Sequence, residues 1–239
     1  MPIDANLANC LDLAASLRGD HEALVQGARR LTWAELRRRA HNLGRAMLEA
    51  GVAHQGKVAL YTYNHPAYME GTYAAFKAGL VPANVNYRYR EEELRYLLDN
   101  SDAEIVIVHE EFVPRLEHIA GDLPKLRGFL VAGDGATPQL GTLRGARSYE
   151  EAATADGPPL AAPRSPDDQL FLYTGGTTGM PKGVMWRQGD LYFRLAGAGS
   201  GAPPDSFDAL HAFIAEQRVA LRTLIGPPLM HGTGWFTAL

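Results

Sequence analysis

The segment Glu104–Val108 constrains the fold more than any other part of this chain, because its last four residues are all apolar. Successive side chains of a strand point to opposite faces, so a strand with this sequence must be covered on both faces. Further strands are predicted at Val58–Tyr61, Val81–Val85 and Leu126–Val131, with helical segments among them. This alternation predicts an α/β fold, with a largely parallel, layered sheet and flanking helices.

Capping and turn residues predict where the helices lie. Thr32 and Glu35 have the spacing of a capping box, and the helix that follows should end near Gly51. Further helices are predicted from Pro66 to about Ala78 and over Glu91–Leu98. The first of these helices carries three consecutive arginines, Arg37, Arg38 and Arg39, mostly outside its apolar stripe. This position favours a solvated helix face over an anion site.

Composition divides the chain into three portions. Residues 1–131 hold the first strands and helices. Residues 132–167 are rich in Gly, Pro and Ala and are predicted to be an irregular surface connection. Residues 168–239 begin with an apolar strand at Gln169–Tyr173 and hold the remaining motifs.

The overall composition excludes several classes of protein. A formal net charge of -4 over 239 residues does not mark a nucleic-acid-binding protein. The single cysteine, Cys10, rules out an internal disulfide and fits a reducing compartment. The N-terminus lacks the features of a signal peptide, and no apolar stretch is long enough to span a membrane. We therefore expect a cytoplasmic protein without an integral membrane segment; peripheral membrane association stays open.

The strand at Gln169–Tyr173 runs directly into a loop of glycines and threonines that carries one lysine, Lys182. Glycines allow close approach of backbone amides, and successive exposed amides form a concavity that suits an anion. Threonine hydroxyls and a lysine add donors and charge, and charge-assisted hydrogen bonds to phosphate contribute about 1.5–3 kcal/mol each. The sequence predicts a polyphosphate site formed by Thr174, Gly175, Gly176, Thr177, Thr178, Gly179 and Lys182.

Two better-known phosphate motifs do not fit. Lys182 is followed by Gly183 rather than by Ser or Thr, so the loop is not a Walker A motif. The dinucleotide-binding fingerprint requires a different glycine spacing. The glycines of 197–201 follow a helical pattern and are interpreted as a flexible linker.

The run from Tyr173 to Gly183, YTGGTTGMPKG, resembles the AMP-forming adenylating enzymes: acyl-CoA synthetases, luciferases and peptide-synthetase adenylation domains. The resemblance covers the whole chain. Residues 76–88 look most like fatty-acyl-CoA synthetases, and Pro228–Trp235 resembles an element that lines the acyl pocket of that family. The chain is thus expected to be the N-terminal portion of an adenylation domain.

The resemblance implies that a carboxylic acid, ATP and Mg²⁺ yield an acyl-adenylate and pyrophosphate, and that coenzyme A then displaces AMP. Lys182 and His231 would be the catalytic residues, and Thr178 a candidate for ordering the metal. The acyl pocket would be formed by His231, Thr233, Gly234 and Trp235. A fatty acid or a steroid side-chain acid is the expected substrate.

Several elements of such enzymes have no counterpart in these residues: the adenine segment, the magnesium glutamate, the ribose aspartate and the small C-terminal domain. We therefore expect an incomplete fragment with little activity alone. Two alternatives stay open: a non-catalytic nucleotide- or acyl-binding module, and an adenylation domain that loads a carrier protein. Homo-oligomer formation is possible.

Overall fold

The structure is a computed structural model and describes residues 5–135, 137–175, 179–196, 202–216 and 222–239. The strands are β1 (Glu22–Gln26), β2 (Arg29–Thr32), β3 (Lys57–Tyr61), β4 (Val81–Asn84), β5 (Ala103–His109), β6 (Gly128–Ala132), β7 (Ala146–Ser148), β8 (Gln169–Thr174) and β9 (Lys182–Arg187). The helices are α1 (Leu7–Arg18), α2 (Trp33–Glu49), α3 (Pro66–Lys77), α4 (Glu91–Asn100), α5 (Val113–Glu117), α6 (Tyr149–Thr154), α7 (Gln188–Ala196), α8 (Phe207–Glu216) and α9 (Gly232–Ala238).

The main sheet has the strand order β7-β6-β5-β3-β4-β8-β9, and β1 and β2 form a separate antiparallel hairpin. Neighbouring strands of the main sheet are parallel, except that β9 runs antiparallel to β8. Because the carboxyl ends of β3, β4, β5, β6 and β8 lie at one edge, the loops that follow them meet there. The predicted α/β fold with a largely parallel sheet is confirmed.

The sheet is covered on both faces, as the apolar run in β5 requires. Ile105 and Ile107 belong to one hydrophobic core, together with residues of α1, α2, α3 and α6. Val106 and Val108 belong to a second core on the opposite face, with residues of α4 and α5. The alternation along one strand therefore divides its side chains between two helical layers.

Helix α2 begins with the predicted capping box. The backbone N–H of Glu35 donates to Thr32 Oγ1 (3.2 Å), and the N–H of Thr32 donates to Glu35 Oε2 (2.8 Å). Leu36 and Leu43 are buried by the rest of the domain, so tertiary packing stabilises the helix that the cap starts.

The prediction of a solvated arginine face is wrong for Arg39, which is only 4% exposed. Its Nε donates to the fully buried Glu70 (2.7 Å), and its two terminal nitrogens donate to both carboxylate oxygens of Glu150 (2.7 and 2.8 Å). Burial by itself lowers the pKa of Arg39, but Glu150 and Glu70 raise it above its ordinary value. The hydrogen bonds from Arg39 in turn lower the pKa of Glu150. Arg39 thus joins α2, α3 and α6.

The irregular connection predicted over 132–167 contains regular structure at its centre. Strand β7 adds to the edge of the sheet beside β6, and α6 follows it immediately. Tyr149, Ala152 and Ala153 are buried in the main core. Three apolar side chains on one face of a two-turn helix are enough to fix it there, although the flanking prolines and glycines conceal the pattern.

Helix α3 begins with a histidine cap. The N–H of Ala67 donates to Nδ1 of His65 (3.1 Å), which requires that nitrogen to be unprotonated. His65 is buried, and burial, followed by the charge of Arg29 and by His109, lowers its pKa to about 4. The cap and the neutral ring therefore depend on each other.

No helix in the described part of the chain is both long enough and apolar enough to cross a lipid bilayer.

Candidate functional site

The predicted phosphate loop connects two antiparallel strands at the edge of the sheet. Thr174 is the last residue of β8, and Lys182, which was predicted to lie in the loop itself, is the first residue of β9, directly opposite Thr174. Both side chains are exposed, whereas Leu170 and Leu172 are buried and hold β8 in the core. The sheet therefore fixes both ends of the loop, and it presents a hydroxyl and an ammonium group side by side.

Gly175 and Gly179 of the loop differ from Gly183 of β9 in how closely other atoms pack against them. A Cβ atom added at Gly175 or Gly179 would meet no described atom within 4 Å. At Gly183, in contrast, it would lie 2.9 Å from the ring of Tyr173. Packing explains Gly183, whereas no described side chain covers the backbone at Gly175 or Gly179.

The other loop residues of the prediction lie outside the described residues: Gly176, Thr177 and Thr178. The candidate metal residue, Thr178, is among them. Among the described residues there is no group of three or more His, Cys, Asp or Glu side chains that could hold a metal ion.

His231 is the N-cap residue of α9, and its backbone carbonyl accepts from the N–H of Trp235 (2.9 Å). Its imidazole is exposed and makes no capping hydrogen bond, so the ring is available to a ligand. Thr233 is exposed beside it. Gly234 is fixed by packing, since a Cβ there would lie 2.4 Å from the carbonyl oxygen of Pro228.

Trp235 does not line an accessible pocket, because its side chain is 0% exposed. Its indole N–H donates to Thr72 Oγ1 (3.1 Å), and its ring meets that of Tyr68 edge-on at 5.6 Å between centroids. Trp235 belongs to the core between α9 and α3. Its contribution to the site is to hold α9, and with it His231, on the body of the domain.

One buried side chain brings the phosphate loop and the His231 element together. Asn84, at the end of β4, donates from Nδ2 to the carbonyl oxygens of Tyr173 (2.9 Å) and Met230 (2.6 Å). These residues immediately precede Thr174 and His231. A second contact joins the same elements, because the rings of Trp186 on β9 and Phe236 on α9 lie edge-on at 5.8 Å.

Lys182 makes no ion pair with any described residue. An exposed ammonium group without a protein counter-charge can bind an anionic group of a ligand without first breaking a salt bridge. The described site therefore combines an unpaired cation, open backbone at two glycines and an unengaged imidazole. This arrangement suits anionic ligands: a polyphosphate beside Lys182 and a carboxylate beside His231.

Sequence reasoning assigned no role to Asn84, although a signal was present. It is a polar residue at the end of an apolar run that was predicted to be a strand, and a buried amide in such a place needs hydrogen-bond partners. The identity of those partners depends on residues about 90 and 146 positions away, which the local pattern does not reveal.

The family model for AMP-binding enzymes matches residues 11–239. The chain belongs to the AMP-binding enzyme family. It is 36% identical over 241 residues to the medium-chain acyl-CoA ligase Mig of Mycobacterium avium, covering 92% of this chain and 42% of that protein. It is also 36% identical over 243 residues to a medium/long-chain-fatty-acid–CoA/3-oxocholest-4-en-26-oate–CoA ligase of Mycobacterium marinum, covering 97% of this chain and 43% of that protein.

Solved structures of this family agree with the fold. The crystal structure of the anthranilate CoA ligase AuaEII in complex with anthranoyl-AMP matches with a TM-score of 0.73 and 28% identity. The match covers 82% of this chain and 37% of that one. The predicted resemblance to AMP-forming acyl-CoA synthetases is thereby confirmed. The chain spans less than half the length of the curated relatives that it matches.

Proposed function

We propose that this chain forms the phosphate-binding part, and a portion of the acyl site, of an ATP-dependent acid–CoA ligase. In the first half-reaction, a carboxylate oxygen of the acid attacks the α-phosphorus of ATP. The bond from that phosphorus to the bridging oxygen breaks, and pyrophosphate leaves. In the second, the thiolate of coenzyme A attacks the acyl carbon and AMP leaves.

The observation that carries this proposal is the meeting of the Lys182 hairpin and His231 through Asn84. Adenylation joins two anions, so the site must offset their repulsion and align them. A cation at the phosphate side and an imidazole at the carboxylate side meet both needs, and one buried amide joins the segments that carry them. Membership of a family whose similar members are acyl-CoA ligases supports the same reaction.

In this proposal Lys182 holds the β- and γ-phosphates and stabilises the charge on the departing pyrophosphate. Thr174 and the amides near Gly175 and Gly179 donate to phosphate oxygens. The ring of His231 lies beside the carboxylate and the α-phosphate, and Thr233 borders the acyl chain. Trp235 acts from the core by fixing α9.

Magnesium would enter this site bound to ATP. The described residues bring a cation and hydroxyl donors but no cluster of carboxylates, so a metal bound here would be held mainly by the phosphates of ATP. When bound, magnesium would supply neutralisation of the polyphosphate charge. Thr178 stays our candidate for ordering it.

We further propose that the acid is a medium- or long-chain fatty acid or a steroid side-chain acid, the substrate classes in the names of the Mycobacterium relatives. The single Cys10 supports a reducing, cytoplasmic location.

Binding of Mg·ATP and of pyrophosphate to this chain tests the phosphate site directly. Lys182→Ala removes one charge-assisted contact, so we expect the affinity for both to fall by about tenfold or more. Lys125→Ala is the matched control: Lys125 is an exposed lysine paired with Asp102, and its loss should leave affinity unchanged. Equal affinities for Lys182→Ala and the unaltered chain would refute a phosphate role for Lys182.

Acid-dependent ATP–pyrophosphate exchange tests the reaction, with fatty and steroid side-chain acids as the panel. In the full-length protein, Lys182→Ala should reduce exchange strongly and thioester formation from a supplied acyl-adenylate much less. The phosphates are gone by the second step, which is why the two effects should differ. Equal loss in both steps would contradict the assignment, and nucleotide binding without exchange would favour a binding module.

A further inference from the structure

The side chain of Asn84 occupies a position that no motif assigns. It is 2% exposed, and each of its polar atoms has a backbone partner. Oδ1 accepts from the N–H of Tyr173 (2.6 Å), while Nδ2 donates to the carbonyl oxygens of Tyr173 (2.9 Å) and Met230 (2.6 Å). One N–H and two carbonyls surround the amide, so its orientation is fixed by its partners.

The side-chain amide of Asn84 extends the short run of backbone pairing between β4 and β8. The backbone register between β4 and β8 consists of Ala83 opposite Phe171. Beyond it, the Asn84 side chain bonds both the N–H and the carbonyl of Tyr173, as a backbone peptide group would. The carboxyl end of β8, where the phosphate loop begins, is thus attached to β4 by a side chain.

The same amide reaches the turn before α9. Met230 precedes His231, and the bond from Nδ2 to its carbonyl is the shorter of the two that this nitrogen makes. Asn84 therefore touches the residue before Thr174 and the residue before His231. A movement of either element relative to the other must stretch or break one of these bonds.

We propose that Asn84 is a positioning residue that sets the alignment of the phosphate loop with His231. The inference rests on the proposed function for its catalytic consequence, but the coupling itself is a property of this chain. Asn84 does not touch the reacting atoms. It fixes the relative position of the groups that do, so its loss should reduce the rate of adenylation more than the affinity for ATP.

Two substitutions separate this role from simple packing. Asn84→Asp keeps an oxygen that can accept from Tyr173 N–H, but it places a carboxylate oxygen against the two carbonyls. Asn84→Ser is smaller and uncharged, and it loses the reach to Met230. The matched control is Tyr149→Phe, which removes a buried hydrogen bond to Glu70 and leaves α9 and the Asn84 contacts in place.

Spin labels measure the coupling without any activity. On a Cys10→Ala background, labels at Met180→Cys and Thr233→Cys report the separation of the loop and α9, because both positions are exposed. Labels at Arg38→Cys and Glu92→Cys, on helices of opposite layers, form the reference pair. Distances are measured by continuous-wave and pulsed electron paramagnetic resonance. Thermal unfolding of the same proteins is followed as well.

We expect either Asn84 substitution to widen the distribution of distances between the labels at positions 180 and 233 about twofold. The distance distribution of the reference pair should stay unchanged. Tyr149→Phe should lower the unfolding temperature without widening the distance distribution between positions 180 and 233. A distribution in Asn84→Asp and Asn84→Ser as narrow as in the unaltered chain would overturn the proposal. So would equal widening of both pairs, which would mean general loosening of the fold.

ATP–pyrophosphate exchange in the full-length protein then tests the catalytic consequence. Asn84→Asp should lower kcat at least tenfold, with the KM for ATP within about twofold. A raised KM at unchanged kcat would refute the alignment role. If the unaltered protein shows no exchange, the proposed function fails, and the spin-label distances alone decide whether Asn84 couples the two elements.

Discussion

The histidine cap of α3 makes stability depend on pH in a way that one substitution should remove. His65 is buried, its Nδ1 accepts from Ala67, and its pKa is lowered to about 4. The unfolded value is about 6.5, so between these two values the unfolded chain binds more protons than the folded one. Stability from the neutral ring is therefore complete above pH 6.5 and is lost as the pH falls towards 4.

The size of the effect follows from the two pKa values. A ring with a folded pKa of about 4 and an unfolded pKa of about 6.5 loses about 2 kcal/mol of stability between pH 7 and pH 5. His65→Asn supplies an uncharged cap whose Oδ1 can accept from the same N–H. The variant should therefore keep the helix start and lose this part of the pH dependence.

The assay is urea unfolding followed by tryptophan fluorescence at pH 7 and pH 5. Between the two pH values, we expect the free energy of unfolding to fall by about 2 kcal/mol more in the unaltered chain than in His65→Asn. Other titrating groups are common to both proteins and cancel in the difference. His211→Asn, which removes an exposed histidine of α8, is the control and should match the unaltered chain. Equal losses in His65→Asn and the unaltered chain would refute the reasoning.

Three further predictions concern buried polar or charged side chains. Tyr68→Phe should leave the free energy of unfolding unchanged or raise it by up to about 1 kcal/mol, because its buried hydroxyl has no partner among the described residues. Tyr149→Phe should instead lower it by about 1 kcal/mol, since that hydroxyl donates to Glu70 at 3.3 Å. The same sign for both in urea unfolding would contradict this account. Arg39→Ala leaves the carboxylate of Glu70 buried and should cost about 3–5 kcal/mol; a loss under about 1 kcal/mol would show that water or Arg29 replaces it.

Elements that neighbouring residues specify could be predicted from the sequence. The apolar run in β5 requires two covered faces, and Thr32 with Glu35 fixes the start of α2; the structure has both features. The strand before the phosphate loop was predictable for the same reason. The antiparallel return through β9 was not, because Val184 and Met185 are exposed there and give no buried strand pattern.

Features that depend on distant partners could not be read from the pattern. Arg39 stands among three arginines, and only the packing of α3 and α6 against it shows that it is buried. Trp235 resembles a pocket residue in its motif, but Thr72 and Tyr68 enclose it. Asn84 has polar partners from two later segments. In each case the deciding neighbour lies far away in the sequence, where side-chain periodicity carries no information.

The arginine that joins α2, α3 and α6 also has a consequence for the order of folding. Arg39 and Glu70 are 31 positions apart, but Glu150 follows Arg39 by 111 positions. During synthesis, two of the guanidinium nitrogens must therefore stay in contact with water until α6 has left the ribosome. Because a half-paired guanidinium resists burial, we expect the helical layer around Arg39 to close only after α6 is available. The short helix in the proline-rich segment thus completes the polar contacts of α2 and α3, which were made much earlier, while the same core still awaits residues from β8 and α9.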